Sequence, residues 1–276
     1  MIGESGFVLG VDVGWAKDAK TTGACVLEWT ATVATVSPIR LSTADWNGLQ
    51  RLLPGGPILA LAVDGPLRGA LDEIGVYRDA ELMLTRRFAE RIGKPGQSSS
   101  GNGKKLNAAS NSVASRILST GSIAPAGHLA KIHERAIVEA FPTSFLGVML
   151  DEGHAPAHGP RSDAYFLHLL GPNANRPPPL PADRLLGLIM RLLPGRRLAS
   201  SHLGAILDHE ERAAIVCALT ALCVVARKYV AVGDPKNGYI ILPPRATQGE
   251  PGLQPWAWNI IEGNRPANAT AAIIIE

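Results

Sequence analysis

Apolar residues cluster early in the chain into short runs rich in β-branched side chains. The first is Phe7, Val8, Leu9 and Val11, broken by Gly10 and Gly14, the pattern of a strand buried on both faces. After a polar, turn-like stretch at 15–22, the segments GACVLEW (23–29) and TATVATVSPIRL (30–41) read as two further strands. Three consecutive strands with short joins predict an antiparallel meander. LSTADWNGLQRLL (41–53) then carries apolar positions at helical spacing behind a possible cap at Ser42 or Thr43. It predicts a crossover helix leading to the apolar strand ILALAVDGPL (58–67).

Periodicity predicts a helix over 77–92, with acids early and arginines late. The following stretch, GKPGQSSSGNGKKLNAAS (93–110), is rich in Gly and Ser and reads as a mobile surface loop. It is not a phosphate-binding P-loop: Ser98 stands where the first glycine is required, and Lys104 is followed by Lys105. AIVEAF (136–141) reads as a strand, and helices are expected at 163–170 and 182–193 between Gly/Pro-rich connections. The run that starts at Asp208, DHEERAAIVCALTALCVVARKY, is apolar almost all round beyond Arg212 and predicts a buried helix. GYIILPP, AWNIIE and AAIIIE near the end read as strands or edge segments without an assigned place. With no internal repeat and no linker, the expectation is a single α/β domain over 1–276. It would hold an insertion around 150–205 and an irregular tail after about 243.

Acids inside these apolar strands carry the candidate chemistry. Asp12 and Asp64 each end an apolar run and precede a valine–glycine or glycine turn, and Glu139 lies near the end of a third. A carboxylate in a buried strand costs several kcal/mol unless paired, hydrogen-bonded or bound to metal. Two neighbouring strands that present carboxylates to one place would repel, and a divalent cation relieves that. The alternative for Asp12 and Asp64 is turn capping, and for Glu139 an ion pair with Arg78 or Arg86. Glu210 and Glu211 crowd the start of the buried helix, where Asp208 and Glu211 have the spacing of an N-terminal capping box, leaving Glu210 the better catalytic candidate.

Composition narrows the class. At 276 residues, 46% hydrophobic and 18% charged, the chain fits an ordinary globular protein with a sizeable core. A net charge of +3 permits an anionic partner without marking a DNA-coating protein. Cys25, Cys217 and Cys223 are odd in number and lie in apolar runs, so buried thiols are expected and the cytoplasm is favoured. His154 and His158 lack further ligands in register for zinc. No signal peptide and no membrane-spanning run is read.

A meander of three strands, a helix and a strand returning beside the first is the opening of a ribonuclease H-like fold. GVDVG (10–14), AVDGPL (62–67), Arg78 and Glu81 with Arg86 and Arg87 behind them, VEAFP (138–142) and HEERAAIVCALTA (209–221) fall in order, with GYIILP closing the set. In these pieces the chain resembles the predicted nucleases of ribonuclease H-like fold catalogued as domain of unknown function 429. The resemblance implies a sheet of three antiparallel and then parallel strands flanked by helices, of the retroviral integrase and Holliday-junction resolvase type. It also implies Mg2+ or Mn2+ held by Asp12, Asp64, Glu139 and an acid of the last helix. The chain departs from the pattern at Ala213, where the family carries an acid; Glu210, one turn earlier, or Glu211 would have to stand in.

The chemistry so implied is two-metal phosphodiester hydrolysis, with ions about 4 Å apart. Nucleic acid would be the partner, contacted by Lys104, Lys105, Arg78 and Arg86. A homodimer is compatible with the sequence. Two other readings stay open. GVDVGWAK also resembles the first phosphate loop of actin-like sugar kinases and ATPases, although no second half with an adenosine loop is found. Ala213 also admits a binding protein that keeps the fold with a degraded metal site.

Overall fold

The computed structural model describes residues 2–14, 21–42, 46–68, 77–88, 98–153, 161–170, 184–199, 203–247, 250–267 and 272–276. The apolar run near residue 10 forms β1 (Gly6–Asp12), an interior strand of the sheet. It continues into β2 (Thr22–Trp29) and β3 (Val33–Leu41) as an antiparallel meander, and α1 (Trp46–Leu52) leads to β4 (Leu61–Asp64), which lies parallel to β1. Next come α2 (Asp79–Met83), α3 (Gly101–Ser119), β5 (Ile137–Ala140), α4 (Pro142–Gly147), α5 (Arg161–Leu169) and α6 (Arg184–Leu192). The chain ends with β6 (Arg197–Leu198), α7 (His209–Val225), β7 (Val230–Asp234), β8 (Gly238–Leu242), α8 (Pro255–Gly263) and β9 (Ala272–Ile275). The strands form one mixed nine-stranded sheet in the order β6-β3-β2-β1-β4-β5-β8-β7-β9.

Strand alternation gives the sheet two apolar faces. Val8, Cys25, Leu27, Ala62 and Val138 pack beneath α7, with α4, α5 and α6 outside it. Phe7, Leu9, Val11, Leu61 and Val63 face the other way, toward Val113 and Ile117 of α3 and Leu49 of α1. Covered by the sheet on one side and helices on the other, α7 buries every residue from Arg212 to Val224, which accounts for its unbroken apolar sequence. It lies unusually close to the sheet because glycines lie under it. A Cβ at Gly10 would stand 2.1 Å from Ala218 N, and one at Gly23 would stand 2.0 Å from the Glu210 carbonyl oxygen.

Several expectations need correction. The Gly/Ser-rich stretch is no loop beyond residue 100: Gly101–Ser119 is helical, and Ser100 Oγ accepts from Gly103 N at 3.1 Å. Capping and the packing of Val113 and Ile117 against the sheet outweigh the poor helix propensity of its first turn. The predicted helix at 77–92 is regular only over Asp79–Met83 and passes into turns, with Arg87 at φ 63°; residues 89–92 lie outside those described. AWNIIE belongs to α8, entered through Pro255 at the first helical position, and the end of the chain is not irregular, since β9 pairs with β7. Strand β7 was not anticipated, because its apolar residues run on from those of α7. His154 and His158 fall outside the described residues. No helix among the described residues is long and apolar enough to cross a membrane.

The close approach of α7 predicts a sharp contrast between two glycines. Gly10→Ala must push backbone against backbone and is expected to destabilise by about 3 kcal/mol or more. Gly55→Ala, whose Cβ would meet nothing within 4 Å, should stay within about 0.5 kcal/mol. Urea titrations followed by circular dichroism check both.

Candidate active site

Asp12 and Asp64 are the last residues of β1 and β4, and the parallel register sets them directly opposite one another. Both follow by even steps from residues beneath α7, Gly10 and Ala62, so both carboxyls project to the α7 side at the carboxyl ends of the strands. Open α/β sheets bind ligands at that edge. The first turn of α7 reaches the same place. Gly23, the ladder partner of Asp12 on β2, lies against the Glu210 backbone, and Glu210 is close enough to add to the negative field on Asp12.

The electrostatics follow from this crowding. Burial is the largest influence on Asp12 and raises its pKa well above the usual carboxylate range, helped by the charges of Asp64 and Glu210. Asp64 is pushed up to about 7, first by burial and then by Glu139, while the hydrogen bond from Asp12 and the charge of His209 pull it back. Both carboxyls are thus raised, and a hydrogen bond between them requires that they share a proton. Cys217 lies under the pair, and burial together with Asp64 and Asp12 keeps its thiol protonated. At the rim, Asp208 Oδ1 accepts from Glu211 N at 3.2 Å, the expected helix cap. Arg40 bonds Asp208 Oδ2 at 2.7 Å and approaches Glu210 at 3.7 Å. Ala213 is buried further along α7.

Glu139 is not brought into this group. It is the register partner of Val63, and its neighbours Val138 and Ala140 pack beneath α7, so its side chain projects to the opposite face. There Arg78 takes both its oxygens, with Nη1 to Oε2 at 2.8 Å and Nη2 to Oε1 at 2.6 Å. Arg78 Nε also bonds Glu81 Oε1 at 2.7 Å, and Nη1 donates to the Asn237 carbonyl. Buried and fully engaged, Arg78 ties β5, α2 and the β7–β8 turn together and offers no free charge to a phosphate. Glu81, whose other oxygen accepts from Arg78 N at 3.0 Å, is the partner that the sequence reading missed; the three-residue spacing at a helix start was its signal.

Of the other predicted contacts, Arg86 is exposed beyond α2, and its carbonyl accepts from Asn264 of α8. Lys104 is half-buried and Lys105 exposed in the first turn of α3. Further along, α3 packs closely on the turn after Asp64: Gly65 is at φ +142°, and a Cβ there would stand 2.3 Å from Ser110 Oγ. Between the start of α3 and the ends of β4 and β5 lies a cavity of about 230 Å³. Asp64, Arg78, Ser98, Leu106, Glu139 and Phe141 are among its lining residues.

The carboxylates of Asp12, Asp64 and Glu210 offer oxygen donors crowded with negative charge, which would suit Mg2+ or Mn2+. Among the described residues, no three His, Cys, Asp or Glu side chains stand together as a ready-made metal cluster. The candidate is thus a two-carboxylate core with Glu210 beside it, and Cys25, Cys217 and Cys223 are buried free thiols of the packing.

The raised acids have a consequence for stability. An Asp whose folded pKa lies above its unfolded value of about 4 favours folding while protonated, and that contribution disappears as pH rises through the folded pKa. In chelator, wild type should therefore lose stability relative to Asp12→Asn between about pH 4 and pH 7, while below pH 4 the two converge. Thermal melts across this range check it; a difference independent of pH would contradict the shared proton.

Compared with known proteins, no family model, no curated protein and no solved structure matches the chain.

Proposed function

We propose that the protein is a divalent-cation-dependent nuclease with a ribonuclease H-like sheet. The observation that carries the reading is the register of Asp12 with Asp64, which sets two mutually repelling, half-buried carboxylates side by side at the carboxyl edge of the sheet. The strand order β3-β2-β1-β4-β5, with an antiparallel meander followed by parallel strands, agrees with that fold. So does the placement of α7 over the pair.

Asp12, Asp64 and Glu210 would hold Mg2+ or Mn2+, which when bound would activate a water and stabilise the leaving oxygen of a phosphodiester. The protein's own part is to keep the carboxylates fixed on adjacent strands and to release the proton they share. Arg40 neutralises Asp208 beside them, and the surface lysine Lys105 with Lys104 supplies positive charge for the nucleic-acid backbone. Glu139 is left to its ion pair with Arg78 on the other face.

Ala213 favours a second reading, a protein that keeps the fold and binds nucleic acid without cutting it. In that case Glu210 is too far back on the helix to complete the site, since it lies three residues and about 5 Å from position 213.

Binding and cleavage separate these readings. Mn2+ or Mg2+ at a hundredfold excess over Kd is expected to raise the wild-type Tm by roughly 5 °C. If wild type gains nothing while Asp12→Asn melts higher, the acids repel without a metal role. Slow, manganese-favoured cleavage is expected in a time course on labelled single-stranded, duplex and branched DNA and on RNA, with Asp12→Asn as the blank. Glu210→Ala should abolish it, and Ala213→Asp in that background should restore part. Cleavage by Ala213→Asp alone, with wild type equal to the blank, selects the binding protein. Absence of cleavage by either removes the nuclease reading.

A further inference from the structure

We infer that the cavity beside Asp64 receives a single nucleobase from an unpaired nucleotide, so that single strands and loops are the substrates. The inference rests on the nuclease reading and specifies the substrate form.

The cavity, about 230 Å³, lies at the edge of the sheet next to the paired carboxylates. Its volume is below the usual range for whole small-molecule ligands and suits one planar ring. Its walls are largely apolar, built by Leu106 from α3, Phe141 after β5 and Ile240 from β8. Arg78 reaches it but is saturated by Glu81 and Glu139, and with Asp64 and Glu139 also on the lining a bare phosphate would meet more repulsion than attraction. A neutral ring with polar edges meets neither objection.

The polar edge of the cavity is formed by the start of α3, a helix of 19 residues, and by Ser98. Ser98 is 1% exposed, and its Oγ has no hydrogen-bond partner among the described residues. A buried hydroxyl without a partner costs free energy in the free protein, and that cost is recovered when a ligand supplies the partner. Nucleobases carry donors and acceptors on their edges and a face that packs on an aromatic ring such as Phe141. A base paired inside a duplex presents neither its pairing edge nor its face, so entry requires a nucleotide already out of the stack or flipped from it. Lys104 and Lys105, further along the same turn of α3, then lie where the flanking backbone would run.

The full chain in chelator is titrated with adenosine, guanosine, cytidine and uridine, followed by ligand-observed NMR, with inorganic phosphate as a separate probe. At least one nucleoside is expected to bind. Ser98→Ala should weaken it about fivefold while the melt stays the same or rises, as befits a hydroxyl that has no partner in the free protein. Leu106→Trp, which fills the cavity, should abolish binding; if that variant does not fold, Ser98→Ala alone carries the test. With Mn2+, single-stranded oligonucleotides should be cut at least tenfold faster than fully paired duplexes. Binding of phosphate but of no nucleoside, or binding that Ser98→Ala leaves unchanged, overturns the inference. Equal cleavage of paired and unpaired substrates with no nucleoside bound also overturns it and leaves the nuclease standing. Nucleoside binding without cleavage of any substrate keeps the base pocket and removes the nuclease.

Discussion

The backbone contact between α7 and the first two strands governs the arrangement of this molecule. Gly10 and Gly23 remove the side chains that would hold the helix off, and α7 settles onto β1 and β2 with its carbonyls at what would be Cβ distance. Three consequences follow from that contact. The helix becomes the core of its layer and must be apolar on every side. Its charged first turn is driven to the edge of the sheet where β1 and β4 end. The end of β1 is partly roofed over, so Asp12 is only half open to water and its pKa is raised. The electrostatics of the candidate site are therefore a by-product of a packing distance.

The sheet separates its acids into two groups with different means of neutralisation. On the α7 face, Asp12 and Asp64 share a proton. On the other face, Glu139 and Glu81 share Arg78, whose guanidinium donates four hydrogen bonds to the two carboxylates and a backbone carbonyl. Burying such a triad is costly, and its value lies in fixing three elements in one geometry. The two groups still sense each other through the sheet, since Glu139 is the largest charge acting on Asp64. A change of charge on one face thus alters the acidity of the other.

Much of this could be read from residue patterns. The meander, the returning strand, the buried helix and its Asp208 cap all rest on local signals, namely runs, turns and a capping residue, and each stands where it was expected. Asp12 and Asp64 were legible because an acid in an apolar run is anomalous wherever it falls. The side of the sheet that Glu139 occupies was not legible. Its position within β5 is visible in the sequence, but its face depends on the pairing of Val63 with Glu139, and a shift of one residue would reverse it. The start of α3 was hidden for a different reason: Gly101, Asn102 and Gly103 are poor helix formers, and only the cap at Ser100 and the apolar side chains further along commit them to a helix. The Ser98 hydroxyl gives no sequence signal, because its lack of a partner is a property of the packed state.

The order in which the chain is made bears on the cover that α7 provides. β1 is synthesised well before α7, the helix that shields it, so during translation the apolar face under Val8, Cys25 and Leu27 stays bare long after the meander can pair. Nascent sheets with an uncovered face are the species that aggregate or recruit chaperones, and closing a contact of such long sequence separation is slow. The glycines that let α7 seat so closely therefore also tie the solubility of the earlier structure to the docking of a helix made long after it.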